Sequence, residues 1–306
     1  MLLQEVKHKL VDNKMFDTAI GRYHNRCKVK NLYCEFAKLI KKYRRDSLQE
    51  DMTLPLSDYI FVCWWQGEAD MSPMIRECYQ RIKQFNTDKK VILITADNMN
   101  QWVQFPDYII TKFNEGKITK THMSDLLRCA LLRDWGGVWM DITIYTFAKL
   151  PERCYKVPIY TCRNKREKHT TNVSYNRWTS YFLVSRRPNN VLFRYMSDFF
   201  AAYWKKYDSL NEYFLVDYAI AVGYKYISSI RAELNAVDMN GCGPDNWRLL
   251  KLMREDYDEQ MLEEIKDESW FQKLARQGEP WHLEKAKNPD RCFYNVMFLK
   301  REEMRE

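Results

Sequence analysis

Residues 122 to 143 read HMSDLLRCALLRDWGGVWMDIT and gather residue types able to handle a charged, oxygen-rich ligand. Asp125 and Arg128 stand three positions apart near a helix start, a spacing that puts both on one face. Gly136-Gly137 ends that helix and turns the chain back. Asp141 then arrives at the end of a strand, the place where open α/β sheets hold ligands. Two carboxylates and a guanidinium therefore converge at one sheet edge. A carboxylate and an Arg can hold hydroxyls by charge-assisted hydrogen bonds. A strand-end carboxylate is also a hard oxygen ligand suited to Mg²⁺ or Mn²⁺, ions that neutralise a diphosphate leaving group. Each of the three residues alone has an ordinary explanation as a cap, a helix cation or a strand end. The block with its spacing does not.

Asp217 is a fourth candidate. It lies in NEYFLVDYAIA, where a charge among apolar neighbours is costly unless paired or used. It either orients a bound ligand or stabilises positive charge that develops on one, or forms a buried ion pair with an Arg such as Arg177 or Arg231.

These residues need a sheet to position them. The apolar run YIFVCWW (59 to 65) reads as a strand. Pro73 opens the helix MIRECYQRIKQF, and KKVILITADN is a second buried strand with a polar turn. That β–α–β unit starts a mostly parallel sheet. A helix over 121 to 135 and a strand beginning VWM follow. Past Pro151 the pattern becomes irregular (161 to 177), then strand YFLVS, an aromatic-rich helical region over about 189 to 232, and a tail of loop, helix and charged end. The expected fold is α/β: a Rossmann-type, mostly parallel sheet flanked by helices, with an N-terminal helical extension and helical C-terminal additions. Residues 1–56 form a basic helical region, with SLQEDMTLPLSD as linker. Residues 57–306 form the main domain, divided into a ligand-binding half (57–150) and an acceptor-binding, helical half (151–306).

The chain of 306 residues has ample apolar content for a core. Its net charge of +8 sits in residues 1 to 45, which carry twelve Lys or Arg and four acids. A basic end on a near-neutral body argues for a local contact and against nucleic acid. Within 28 to 45, Val29, Leu32, Tyr33, Phe36, Leu39, Ile40 and Tyr43 recur at helical spacing among Lys and Arg. That stripe either packs on the main domain or lies on an anionic membrane surface. Nine cysteines without a Cys-x-x-Cys pair read as free, mostly buried thiols in a reducing compartment. No apolar run reaches the ~18 residues of a spanning helix, so a cytoplasmic protein, peripheral at the inner face of the membrane, is expected.

The segment Ser124-Asp125-Leu126-Leu127-Arg128, Gly136-Gly137 and Trp139-Met140-Asp141-Ile142-Thr143 resembles the capsular polysaccharide synthesis family of glycosyltransferases. More distantly it is similar to other sugar transferases with the DXD signature and to the glucosylating bacterial toxins. FVCWWQGE upstream and WTSYFLVSRRPNN and YFLVDYAI downstream extend the likeness over roughly residues 57 to 230.

The resemblance implies a GT-A fold, a UDP-sugar donor and retaining transfer of a hexosyl unit. The implied acceptor is a glycan linked to polyprenyl diphosphate. Trp65 would stack on the uracil, leaving Trp64 to the core, with Gln66 and Gly67 in the adjoining turn. Asp97 and Asn98 would touch ribose or base, although turn chemistry also explains them. Asp141 and Thr143 would hold Mn²⁺ or Mg²⁺, weakly, since Thr143 replaces the second acid. A C-terminal contact would come from His282, Asp245, Asn246 or Lys273. WFQKL, with Trp270 and Lys273, resembles the closing segment beside the diphosphate. A toxin-like protein glucosyltransferase, a UDP-sugar hydrolase and a non-catalytic nucleotide- or membrane-binding module are the alternatives.

Overall fold

The computed structural model describes residues 14–45, 55–167, 170–276 and 283–300. Its main sheet has five strands in the order β2-β1-β3-β6-β5. These are β1 (Tyr59–Cys63), β2 (Lys90–Ile94), β3 (Gly137–Met140), β5 (Ile159–Thr161) and β6 (Phe182–Ser185). β1 pairs in parallel with β2 and β3, while β6 runs antiparallel to both β3 and β5. All but β6 therefore point the same way. The chain goes from β1 outward to β2 and returns to β3 on the other side. A switch point thus opens beyond the C-terminal ends of β1 and β3.

Alternation along the strands divides the core. Ile60, Val62, Val138, Met140, Phe182 and Val184 face one side; Phe61, Trp139 and Leu183 face the other. The first face is covered by α3 (Pro73–Phe85), α10 (Arg248–Leu252), α11 (Glu259–Glu268) and the C-terminal segment around Phe293 and Phe298. The second is covered by α6 (Lys120–Asp134), α7 (Val191–Lys206), α8 (Leu215–Tyr226) and α9 (Ser228–Ala236). The aromatic-rich region thus divides into three helices. Two short helices, α4 (Met99–Trp102) and α5 (Asp107–Asn114), lie between β2 and α6.

The N-terminal stripe forms two helices, α1 (Lys14–Glu35) and α2 (Ala37–Arg45), with a turn at Phe36. Val29, Leu32, Phe36, Ile40 and Tyr43 are buried against the main domain. Tyr33 stacks on Tyr226 at 3.8 Å, and Phe36 meets Phe199 at 4.9 Å. Lys28 pairs with Glu212 and Lys42 with Asp198. The apolar face is therefore consumed by intramolecular packing, not left for lipid. Lys30, Lys38, Lys41 and Arg44 remain exposed. Residues 1–13, 46–54 of the linker and the side chain of Arg45 lie outside the described set.

A second, two-stranded sheet pairs β4 (Ile144–Thr146) with β7 (Phe271–Lys273) in antiparallel register, Ile144 opposite Lys273. Three-residue strands carry too little pattern to be read from sequence. This pairing nevertheless delivers the C-terminal segment to the end of β3.

Candidate active site

Helix α6 begins at a cap. The Thr119 hydroxyl accepts from the His122 N–H, 3.2 Å away, the arrangement that fixes a helix start. Asp125 and Arg128 follow within the next turns, both buried. At the other end, Gly136 and Gly137 take φ of 64° and 86°. A Cβ on Gly137 would sit 2.4 Å from the Tyr59 carbonyl oxygen. Only glycine lets β3 approach β1 here.

The charged groups meet as their spacing predicts. Arg128 NH1 lies 3.2 Å from Asp125 Oδ1 and donates to the Ser180 carbonyl at 2.8 Å. Arg128 NH2 lies 3.4 Å from Asp141 Oδ1. The Trp139 indole N–H donates to that same oxygen at 2.9 Å, and the guanidinium sits 5.1 Å from the Trp139 ring centre. Burial works against the Arg128 charge, but Asp125 and Asp141 outweigh it and hold its pKa above the ordinary value.

Lys273, brought in by β7, closes the other side. Its Nζ lies 3.6 Å from Asp141 Oδ2, and donates to the Thr143 hydroxyl and, at 2.8 Å, to the Leu274 carbonyl. Burial lowers its pKa, with the Asp141 carboxylate opposing that shift.

These groups border a cavity of about 730 Å³, a size suited to a small-molecule ligand. Asp125, Arg128, Asp141, Asp217, Asp245, Asn246 and Lys273 all line it. Asp217 accepts from the Trp178 indole N–H at 3.0 Å rather than pairing with Arg177 or Arg231. Burial pushes its pKa up to about 6; the Trp178 hydrogen bond opposes this and the Asp125 charge adds to it. Asn246 is committed to structure, donating to Cys242 and Phe271 carbonyls and to Ser269. Asp245 pairs with Lys251 at 2.7 Å.

Other expected residues lie elsewhere. Trp65 is buried; its ring packs 5.5 Å from Phe113, and its N–H bonds the Lys120 carbonyl and Ser124 hydroxyl. Trp64 is the half-buried member of the pair, under Arg276 at 5.7 Å. The two do point to opposite faces, but α5 and the start of α6 cover the face that Trp65 takes. Gly67 has a φ of 88° and closes the turn after β1, with Gln66 exposed beside it. The Asn98 side chain bonds Thr95 N–H and the Leu93 carbonyl, which is turn chemistry, and Asp97 is exposed. Trp270 is buried against Phe182 and Phe271. None of these borders the cavity. His282 lies outside the described residues.

As arranged, the residues around Asp141 do not fit a divalent ion. Both Asp141 oxygens face cations, and the Thr143 hydroxyl accepts from Lys273. The ammonium takes the place between the two expected ligands. Among the described residues no group of three or more His, Cys, Asp or Glu is placed to hold a metal ion.

Several contributors carry no signal in the sequence. His122 Nδ1 lies 3.3 Å from Asp125 Oδ2, and its ring packs on Phe200 and Trp204. Trp139 and Trp178 aim their indole N–H groups at Asp141 and Asp217. Tyr213, Phe214 and Trp247 present exposed rings at the cavity.

No helix among the described residues is long and apolar enough to cross a membrane. No curated protein matches the chain. Among solved structures, the PaToxG glycosyltransferase superposes loosely, with a TM-score of 0.36 and 15% identity over 72% of this chain and 84% of that one. A family model described as capsular polysaccharide synthesis protein matches residues 9–295, nearly the whole length over which the sheet, the cavity and its charged groups are built, and the chain belongs to that family.

Proposed function

We propose that this chain is a glycosyltransferase. It moves a hexosyl unit from a UDP-sugar to a lipid-linked oligosaccharide during synthesis of capsule or another surface polysaccharide. The observation that supports this best is the cavity beyond the end of β3, where Arg128 and Lys273 flank Asp141 and a separate carboxylate, Asp217, faces the same space. Departure of UDP builds negative charge on the diphosphate. Fixed cations there stabilise the transition state more than the ground state. Asp125 holds Arg128 in position and can accept from a sugar hydroxyl. Exposed Trp247, with Lys273 Nζ 5.6 Å from its ring centre, gives a flat face for the base within reach of the same ammonium.

A retaining reaction follows a front-face route. The acceptor hydroxyl attacks on the side that UDP leaves, and its proton passes to the departing diphosphate. Asp217 orients the acceptor or stabilises positive charge at the sugar carbon. Release of UDP from a panel of UDP-sugars, measured with and without lipid-linked acceptors, tests the reading. Release that requires an acceptor supports transfer. Equal release without one makes the protein a hydrolase, and no release with any sugar leaves a binding module.

Among the described residues, visits to an anionic membrane would rest on exposed cations such as Lys30, Lys38, Lys41 and Arg44, since the apolar stripe is packed inside. Such attraction amounts to about 1 kcal/mol per cation and is screened by salt. Sedimentation with anionic vesicles at low salt, lost at high salt, is the expected result; indifference to vesicles refutes it.

A further inference from the structure

Beside the candidate active site lies a second cavity, of about 590 Å³. Its lining includes Arg26, Arg163, Arg166, Arg177, Lys225 and Arg231, and no Asp or Glu. None of the six makes an ion pair among the described residues. Three are held in place by main-chain oxygens. Arg163 donates to the Asn235 and Val237 carbonyls, Arg177 to those of Ser174 and Val173, and Arg231 to those of Tyr224 and Lys225. Arg166 and Arg177 also lie 4.5 and 5.3 Å from the Tyr175 ring centre, and Arg177 lies 4.1 Å from that of Tyr224. Burial lowers the Arg177 pKa, and the charge of Arg166 adds to that.

Six like charges around one concavity repel one another and destabilise the fold unless an anion joins them. Guanidinium groups anchored on carbonyls and stacked on rings are pre-set for forked hydrogen bonds to phosphate or carboxylate.

The wall between the two cavities is a single strip of chain. Asn172, Ser174, Asn176 and Trp178 line the active cavity, while Val173, Tyr175 and Arg177 line the basic one. Tyr175 and Asn176 hold φ of 50° and 60°, unusual for non-glycine residues, and keep the strip in this shape. Asn164 borders both cavities. A ligand in the basic cavity therefore sits one chain thickness from where a sugar would be transferred.

We propose that the basic cavity binds an anionic group, phosphate or carboxylate, carried by the acceptor. The assignment of the anion to an acceptor rests on the glycosyltransferase reading; the anion site itself does not. It would select acceptors by a charge set back from the hydroxyl that reacts.

Calorimetric titration of the full chain with inorganic pyrophosphate, at low salt and with UDP saturating, tests this. Arg26→Gln and Arg166→Gln together remove two cations whose side chains make no hydrogen bond among the described residues, and a thermal melt verifies the fold. The expected result is pyrophosphate binding that weakens at least tenfold in the double variant, with UDP affinity unchanged. An oligogalacturonate titration separates the sources. Tighter binding of pyrophosphate assigns the cavity to phosphate, and tighter binding of the uronate assigns it to carboxylate; either supports the site. No anion binding at low salt, binding indifferent to both substitutions, or a parallel loss of UDP affinity overturns it. UDP titration alone reports on the donor reading, so the two can fail separately.

Discussion

Lys273 Nζ stands 3.6 Å from Asp141 Oδ2, so a residue near the C-terminal end of the described fold is ion-paired with the end of β3. The same ammonium bonds the Thr143 hydroxyl and thereby fills the position a divalent ion would need. Lys273→Ala should lower turnover about 10²–10³-fold, as for loss of one preorganised charge-stabilising donor. With Lys273 present, UDP release should persist in EDTA at no less than a third of its rate in Mn²⁺. A hundredfold loss in EDTA would place a metal at Asp141 and displace the lysine.

Trp65 and Trp247 divide structure from binding. Trp65 is buried and hydrogen-bonded at the start of α6, whereas Trp247 is 38% exposed at the cavity. Trp65→Ala should cost about 3–5 kcal/mol of stability by chemical denaturation, the range for a large core deletion. Trp247→Ala should leave the fold intact and weaken UDP by roughly 1–3 kcal/mol, the loss of one stacked base. The opposite pattern, a stable Trp65 variant that binds UDP poorly, would return the base to β1.

Asp217 sets a pH dependence. Its pKa is raised to about 6 by burial, above the ordinary 3.8. Between those values the folded protein keeps a proton that the unfolded chain has released. Stability therefore falls as pH rises through this window. Asp217→Asn should flatten that part of the stability curve. If the carboxylate form is the working one, transfer should rise with pH through about 6 in the native chain and lose that limb in the variant. A native stability curve that climbs between pH 4 and 6, with the variant parallel to it, would contradict the assignment.

Gly137 tests the closeness of β1 and β3. Gly137→Ala forces a positive φ and a contact of 2.4 Å with the Tyr59 carbonyl oxygen. A loss of about 2–3 kcal/mol is expected, within the range for backbone strain that cannot relax. An unchanged melting temperature would mean that the two strands separate freely there.

The sequence was most legible where chemistry and local geometry coincide. Asp125, Arg128, the paired glycines and Asp141 lie close together in one stretch, and helix period, turn chemistry and strand end together fix their meeting. The N-terminal stripe was legible as a stripe, since Val29, Leu32, Phe36, Ile40 and Tyr43 are all buried. Its destination was one of two, because periodicity shows that a face is apolar and not what covers it. The same limit applies to Trp64 and Trp65: alternation separates them, but only the packing of α5 and α6 decides which is enclosed. Lys273 was reachable through resemblance alone, since β7 is three residues long. The strip 172 to 178 has no hydrophobic period, so the alternate facing of its residues became visible only once two cavities lay on either side.

The pairing of β4 with β7 also has a temporal consequence. During synthesis the strands of the main sheet, Asp125, Arg128, Asp141 and Asp217 all leave the ribosome before Phe271–Lys273. A nascent chain can thus form its sheet and its acidic edge while still lacking the lysine. The ammonium that pairs with Asp141 arrives only with Phe271–Lys273, after the sheet around it has had time to form.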